Sequence, residues 1–134
     1  MGVKINGKYI GELRNELVHQ TGEKIFTDAP LDNHGKGEAF SPTDLIAAGL
    51  GSCMITILAI RANSKKINID KPTFSIIKNM QSNPRKIQEL SIEICLSDSV
   101  AKKEREYLET EAKNCPVALC LNPSIIQNIV FKYV

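Results

Sequence analysis

Tryptophan is absent from this chain, and aromatic residues make up only 5% of its 134 positions. Charge of one sign is equally scarce. The net charge is +2, and Lys and Arg are scattered rather than clustered, which excludes a strongly basic face and argues against nucleic acid or an anionic membrane as partner. The first residues, MGVKINGKYIGELRNE, lack the apolar core and small-residue cleavage site of a secretory signal. Asn6 stands where a myristoylation pattern wants Ser or Thr. There are two histidines, His19 and His34, neither at zinc-ligand spacing to a cysteine pair, and no C-x-x-C. No metal and no cofactor are therefore expected. Internal repeats, linkers and low-complexity segments are missing too, and the length suits a single domain over residues 1–134.

What is present reads as short strands, one apolar helix, and more strands and helices. Asn6-Gly7 and Thr21-Gly22 mark two hairpin turns, with β-tolerant runs at Lys8–Leu13 and Lys24–Thr27. Residues 28–41 (DAPLDNHGKGEAFS) form a loop. Ser41-Pro42-Thr43-Asp44 is a helix start: Ser41 caps, Pro42 takes the first turn, and Asp44 reaches back as a capping-box acid. From Leu45 to Ile60 the chain runs sixteen residues without a charge. That is short for a membrane span and rich in small residues, so the expectation is a helix buried on nearly every side, ending near Lys66. A 134-residue monomer has difficulty surrounding such a helix, which points to a homodimer. Phe74–Met80 and Lys86–Leu96 read as strands joined through Ser82-Asn83-Pro84. Leu90, Ile92, Ile94 and Leu96 alternate with polar partners. A charged amphipathic helix starts at Ser97 or Asp98, breaks at Asn114-Cys115-Pro116, and gives way to a turn over Val117–Leu121 and a closing strand over Ile125–Val134. Strands grouped around helices, not alternating with them, make this an α+β chain.

The four cysteines, at 53, 95, 115 and 120, resemble cytoplasmic thiols more than a disulfide scaffold. Cys115, at the cap of the turn begun by Pro116, has the best local argument for a stabilised thiolate; the bland reading is a buried filler at a kink. Cys53 lies within the apolar helix, where burial raises a thiol's pKa and a small core residue is the ordinary role. Gly49-Leu50-Gly51-Ser52 before it lets a backbone or substrate approach the sulfur. Cys95 falls on the polar side of its strand, and Cys120 is expected to pack.

The run SPTDLIAAGLGSC over Ser41–Cys53, with CPVALCL over Cys115–Leu121 and the upstream Thr27-Asp28-Ala29-Pro30, resembles the osmotically inducible protein C family, which includes the organic hydroperoxide resistance proteins. The resemblance follows the order of elements along the whole chain. It implies an intertwined homodimer whose sheets wrap two long central helices, with active sites at the subunit interface. It implies that Cys53 attacks a small-molecule hydroperoxide, becomes a sulfenic acid, and is trapped by Cys115 as a disulfide that a thiol or dihydrolipoyl reductant restores. An apolar pocket lined by Leu50, Met54 and Ile57 is expected beside Cys53. Sulfenic acid condenses with a nearby thiol, and a bridge needs the two Cα atoms within about 7 Å. Sixty-two positions separate them in sequence, so only the fold can join them. The family places an arginine and a glutamate beside the attacking cysteine. Here Arg14 is the candidate cation, with an ordinary exposed strand residue as the alternative. Thr43 stands at the glutamate's position, and the acid comes one later at Asp44, whose other role is the helix cap. The pattern matches a less-characterised branch; the competing function is a dimer that binds an apolar ligand or senses redox state.

Overall fold

The computed structural model describes residues 1–134. The chain divides into two compact units, Met1–Ile46 and Ala47–Val134.

The first unit is an antiparallel sheet of β1 (Ile5–Gly11), β2 (Arg14–His19) and β3 (Lys24–Asp28), followed by a loop with one 3-10 turn at Leu31–Asn33. Asn6-Gly7 is not a turn. Both residues lie inside β1, opposite Val18 and Leu17. Gly7 makes room across the strands, since a Cβ there would stand 3.2 Å from the Leu17 side chain. The reversal falls instead at Glu12 and Leu13, both with positive φ (53° and 62°), the backbone of a tight hairpin turn that favours glycine. Tyr9 helps hold it by accepting the Leu13 N–H at 3.2 Å. The second reversal sits at Thr21-Gly22, as the sequence indicates, with Gly22 at φ 94°.

Helix α1 (Pro42–Ser64) opens with the expected capping box. The Ser41 N–H donates to Asp44 Oδ2 at 2.9 Å, and the Asp44 N–H donates to Ser41 Oγ at 3.1 Å. Within the second unit the helix buries one stripe, Ala47, Leu50, Gly51, Met54, Leu58 and Ala62, at the three- and four-residue spacing of a single face. The expectation of burial on nearly every side is not met by one chain. By length and composition α1 could cross a membrane, a test that the core helix of a soluble protein also passes; here Leu50, Met54 and Leu58 are fully buried in the second unit's core.

That core is completed by a sheet of β4 (Thr73–Gln81), β5 (Lys86–Leu96) and β6 (Ile126–Tyr133) in the order β4-β5-β6. β5 runs antiparallel to β4 and parallel to β6. Leu90, Ile92, Ile94 and Leu96 are buried and Cys95 lies on the opposite side, so the alternation read from the sequence holds. The amphipathic helix α2 (Lys102–Lys113) starts later than Ser97 or Asp98. The Asp98 N–H is committed to the Val134 carbonyl at 3.0 Å, which keeps this segment stitched to the end of β6. Leu108 and Ala112 are its buried residues. A five-residue helix, α3 (Pro116–Cys120), follows the break at Cys115.

Candidate functional site

Cys53 sits midway along α1, half-buried, on the turn-related positions shared with Gly49, Ile57 and Ile60. This face differs from the buried stripe. Leu50 and Met54 are fully buried in the core, and Ile57, one turn after Cys53, is partly buried against it. Gly51 explains how close α1 lies to the sheet: a Cβ on it would stand 2.2 Å from the Phe74 ring. A Cβ on Gly49 would meet nothing within 4 Å. Within one chain, α1 is therefore uncovered at Gly49 itself, while Cys53 and Ile57 pack partly against the core.

Cys115 occupies the N-cap of α3 in extended geometry (φ −66°, ψ 155°). Pro116 dictates that backbone, because the residue before proline is pushed out of helical geometry. Its Sγ accepts the Ala118 N–H at 3.5 Å, and the residue is fully buried. The Cys53 thiol is a close enough neighbour of the Cys115 thiol to act on its titration. Both cysteines are free thiols. The fold of the second unit thus makes neighbours of two cysteines that are remote in sequence.

The local argument for Cys115 as an activated thiolate is reversed by its surroundings. Burial pushes its thiol above the ordinary value; the Ala118 and Val117 N–H groups pull it down by less, and the neighbouring Cys53 thiol raises it further. A helix of one turn has little dipole to offer, while desolvation acts on the whole sulfur. Cys120, expected to pack, is exposed. Cys95, half-exposed, lies 3.8 Å from Glu93 Oε1, and Glu93 Oε2 is paired with Lys132 Nζ at 2.9 Å.

In the first unit Arg14 is a salt-bridged residue, not an ordinary exposed strand position. Its Nε and Nη2 donate to Asp28 Oδ1 and Oδ2 at 2.7 and 2.8 Å, a two-pronged geometry that fixes the guanidinium plane. Glu38 Oε2 approaches at 3.6 Å, and the guanidinium lies 5.6 Å from the Phe26 ring centre. Asp28 is only 3% exposed and also accepts the Glu38 N–H at 3.0 Å. The Arg14 hydrogen bonds hold its carboxyl below the usual carboxylate range. The carboxylate that orients Arg14 is therefore Asp28, while Asp44 serves the α1 cap. A signal for this was present in the sequence: Arg14 and Asp28 are equidistant from Thr21, and a hairpin reversing there makes them cross-strand partners, as observed. The pair borders a pocket of about 170 Å³ shared with Ile10, Lys36 and Glu38. No three His, Cys, Asp or Glu side chains are grouped to hold a metal ion.

No protein with a curated description matches this sequence. The solved structures do. A Psychrobacter arcticus protein, provisionally described as an osmotic stress induced and detoxification response protein, is 40% identical, with a TM-score of 0.91 over 98% of this chain and 97% of that one. An organic hydroperoxide resistance protein of Legionella pneumophila superimposes at a TM-score of 0.81 and 18% identity, covering 98% of this chain and 97% of the other. The Bacillus subtilis organic hydroperoxide resistance protein OhrB does so at 0.69 and 18%, covering 98% of each. At that identity the likeness speaks for the fold. The family model for OsmC-like proteins matches residues 35–129, a span that includes the Ser41 cap, Cys53 and Cys115, and the chain belongs to the OsmC-like protein family.

Proposed function

We propose that this protein is a thiol-dependent peroxidase that reduces organic hydroperoxides through a Cys53/Cys115 cycle, as a homodimer in the cytoplasm, in defence against oxidative stress. The observation that carries the reading is the meeting of two free thiols, one half-exposed and one enclosed. Family relatives named as organic hydroperoxide resistance proteins support it.

In this scheme the Cys53 thiolate attacks the outer peroxide oxygen. The S–O bond forms as the O–O bond breaks, and the alkoxide leaves as alcohol after taking a proton. Cys115 sulfur then attacks the Cys53 sulfenic acid, forming the disulfide and releasing water. A dithiol of the dihydrolipoyl type returns two electrons and two protons to the pair. Arg14, held flat by Asp28, is proposed as the cation that favours the thiolate. Ile57 and Ile60 beside Cys53 favour an apolar peroxide over hydrogen peroxide. Dimerisation is supported by apolar side chains that one chain leaves uncovered on its first sheet, among them Ile5, Tyr9, Ile25 and Phe26.

The second reading, an OsmC-like dimer that binds an apolar ligand or senses redox state, is favoured by one feature: the Cys115 thiol is held protonated, which slows a resolving attack. Turnover of cumene hydroperoxide with dihydrolipoamide separates the two. The peroxidase consumes it catalytically, faster than hydrogen peroxide, and Cys53→Ser abolishes turnover. Consumption no faster than buffer, with unchanged thiol titre, rejects the peroxidase and leaves the binder.

A further inference from the structure

Strand β6 carries a row of four half-buried side chains, Gln127, Ile129, Phe131 and Tyr133. Ile129, Phe131 and Tyr133 pack against the apolar core, and the Tyr133 hydroxyl donates to Glu109 Oε2 at 2.7 Å. Gln127 is the amide in this row, opposite the buried Leu90 of β5, where a polar group is costly unless it is bonded. Its Nε2 donates to the Ala118 carbonyl of α3 at 3.1 Å. That helix is five residues long, so its last carbonyls have no partner within it, and a helix this short does not hold itself. The same peptide, Ala118–Leu119, presents the Leu119 N–H to the Cys115 carbonyl at 3.1 Å. The Ala118 N–H points at Cys115 Sγ from 3.5 Å. A chain of bonds therefore runs from β6 through the turn to the carbonyl and the sulfur of Cys115. It lies inside the second unit of one chain and does not depend on what covers α1.

We propose that Gln127 is a positioning residue for Cys115: by fixing the Ala118–Leu119 peptide it keeps the resolving sulfur beside Cys53. The inference rests on the reading of the two cysteines as a dithiol–disulfide couple. Val117 and Leu121 pack against the core and seat α3; the Gln127 bond sets the rotation of the turn on that seat. The Val117 and Ala118 N–H groups that favour negative charge on the sulfur keep their aim only while the turn keeps that rotation. The consequence falls on the resolving step. Cys115 sulfur attacks the Cys53 sulfenic acid, the S–S bond forms, the S–O bond breaks, and hydroxide leaves with the thiol proton as water. A second hydroperoxide competes for the same sulfenic acid. Its O–O bond breaks, one oxygen passes to the Cys53 sulfur to give sulfinic acid, and the alcohol leaves. A misaligned Cys115 loses that competition, so Gln127 protects Cys53 from irreversible oxidation.

The test is an equilibrium in glutathione buffer, which needs no peroxide. The full chain is held in mixtures of reduced and oxidised glutathione, acid-quenched, alkylated and mapped by peptide mass. At fixed reduced glutathione, the ratio of the Cys53–Cys115 disulfide to the Cys53–glutathione mixed disulfide reads the effective concentration of the Cys115 thiol at Cys53. Gln127→Met removes the donor at nearly unchanged length and is expected to lower this ratio at least fivefold; Gln127→Leu removes it in a second shape and is expected to do the same. Gln127→Lys keeps an N–H donor of similar reach and is expected to restore the ratio to within twofold. Phe131→Leu, in the same row, is expected to lower Tm and leave the ratio unchanged. An unaltered ratio in the folded Met and Leu variants, an equal fall in Phe131→Leu, or an unmodified protein that forms no such disulfide overturns the proposal. Under a tenfold excess of cumene hydroperoxide, the sulfinic fraction on Cys53 is expected to rise at least threefold in Gln127→Met; an unchanged fraction in a protein that consumes the hydroperoxide also overturns it. A protein that forms the disulfide in glutathione yet leaves cumene hydroperoxide unconsumed rejects the peroxidase reading alone, and a ratio that falls with Gln127→Met then leaves the positioning role standing.

Discussion

Two glycines, two positions apart on α1, are expected to respond to alanine in opposite directions. At Gly51 the added Cβ falls 2.2, 2.5 and 2.7 Å from three carbons of the Phe74 ring. The ring would have to retreat by about 1.5 Å to regain ordinary carbon contact. With three ring carbons this close, overpacking falls in the upper part of its usual range, about 2–3 kcal/mol, against about 1 kcal/mol recovered from helix propensity. A net loss of about 1–2 kcal/mol is expected, lowering Tm by roughly 4–8 °C for a chain of this length. At Gly49 the same atom meets nothing within 4 Å, so only the propensity gain remains. Gly49→Ala is expected to raise Tm by roughly 2–4 °C. Thermal melts followed by circular dichroism under reducing conditions measure both. A fall for Gly49→Ala would refute the claim that its surroundings are open, and an unchanged Tm for Gly51→Ala would refute the close approach of α1 to Phe74.

The Arg14–Asp28 pair carries a pH signature. Because Asp28 titrates below its ordinary value in the folded chain, its contribution to stability is present above about pH 4 and is lost as pH falls through the depressed value. Asp28→Asn is expected to lower stability at pH 7 and to flatten its acid dependence in urea titrations; an unaltered acid limb contradicts the pairing. Cys115 alone, in Cys53→Ser, is expected to react with iodoacetamide more slowly at pH 7 than a free cysteine does, at a rate still climbing above pH 9, since burial leads the rise of its thiol. A plateau below pH 8 would show an activated thiolate instead. Sedimentation at micromolar concentration is expected to give about twice the 14.8 kDa chain mass; a stable single-chain species contradicts the homodimer.

Much of this was legible where the signal is local. Ser41-Pro42-Thr43-Asp44 announces its helix because a cap and its reciprocal acid need only three intervening bonds of chain, and both hydrogen bonds form. β5 is readable because one face of a half-buried strand must alternate. The misplaced first hairpin shows the limit. Asn-Gly is the favoured pair for such a turn, yet Gly7 is used to seat Leu17 across the strands, and the reversal is imposed on Glu12 and Leu13, which carry no turn signal. The Arg14–Asp28 pairing depends on the second hairpin, read correctly at Thr21-Gly22, and emerges only when the register is counted outward from that turn. The access of each thiol was hidden for a similar reason. Capping is local and made Cys115 look activated, whereas its burial depends on α1, α3 and β5 packing into one core. The parallel pairing of β6 with β5 is likewise a long-range outcome with no mark in either strand.

The central claim is that Cys53 and Cys115 form one redox couple driven by peroxide. It is tested most directly by adding a single equivalent of cumene hydroperoxide to the reduced protein, quenching within seconds, and mapping the cysteines by mass spectrometry. Two thiols per chain are expected to vanish into a Cys53–Cys115 disulfide, with Cys95 and Cys120 still free. Four intact thiols, or a bridge that leaves out Cys53 or Cys115, would contradict it.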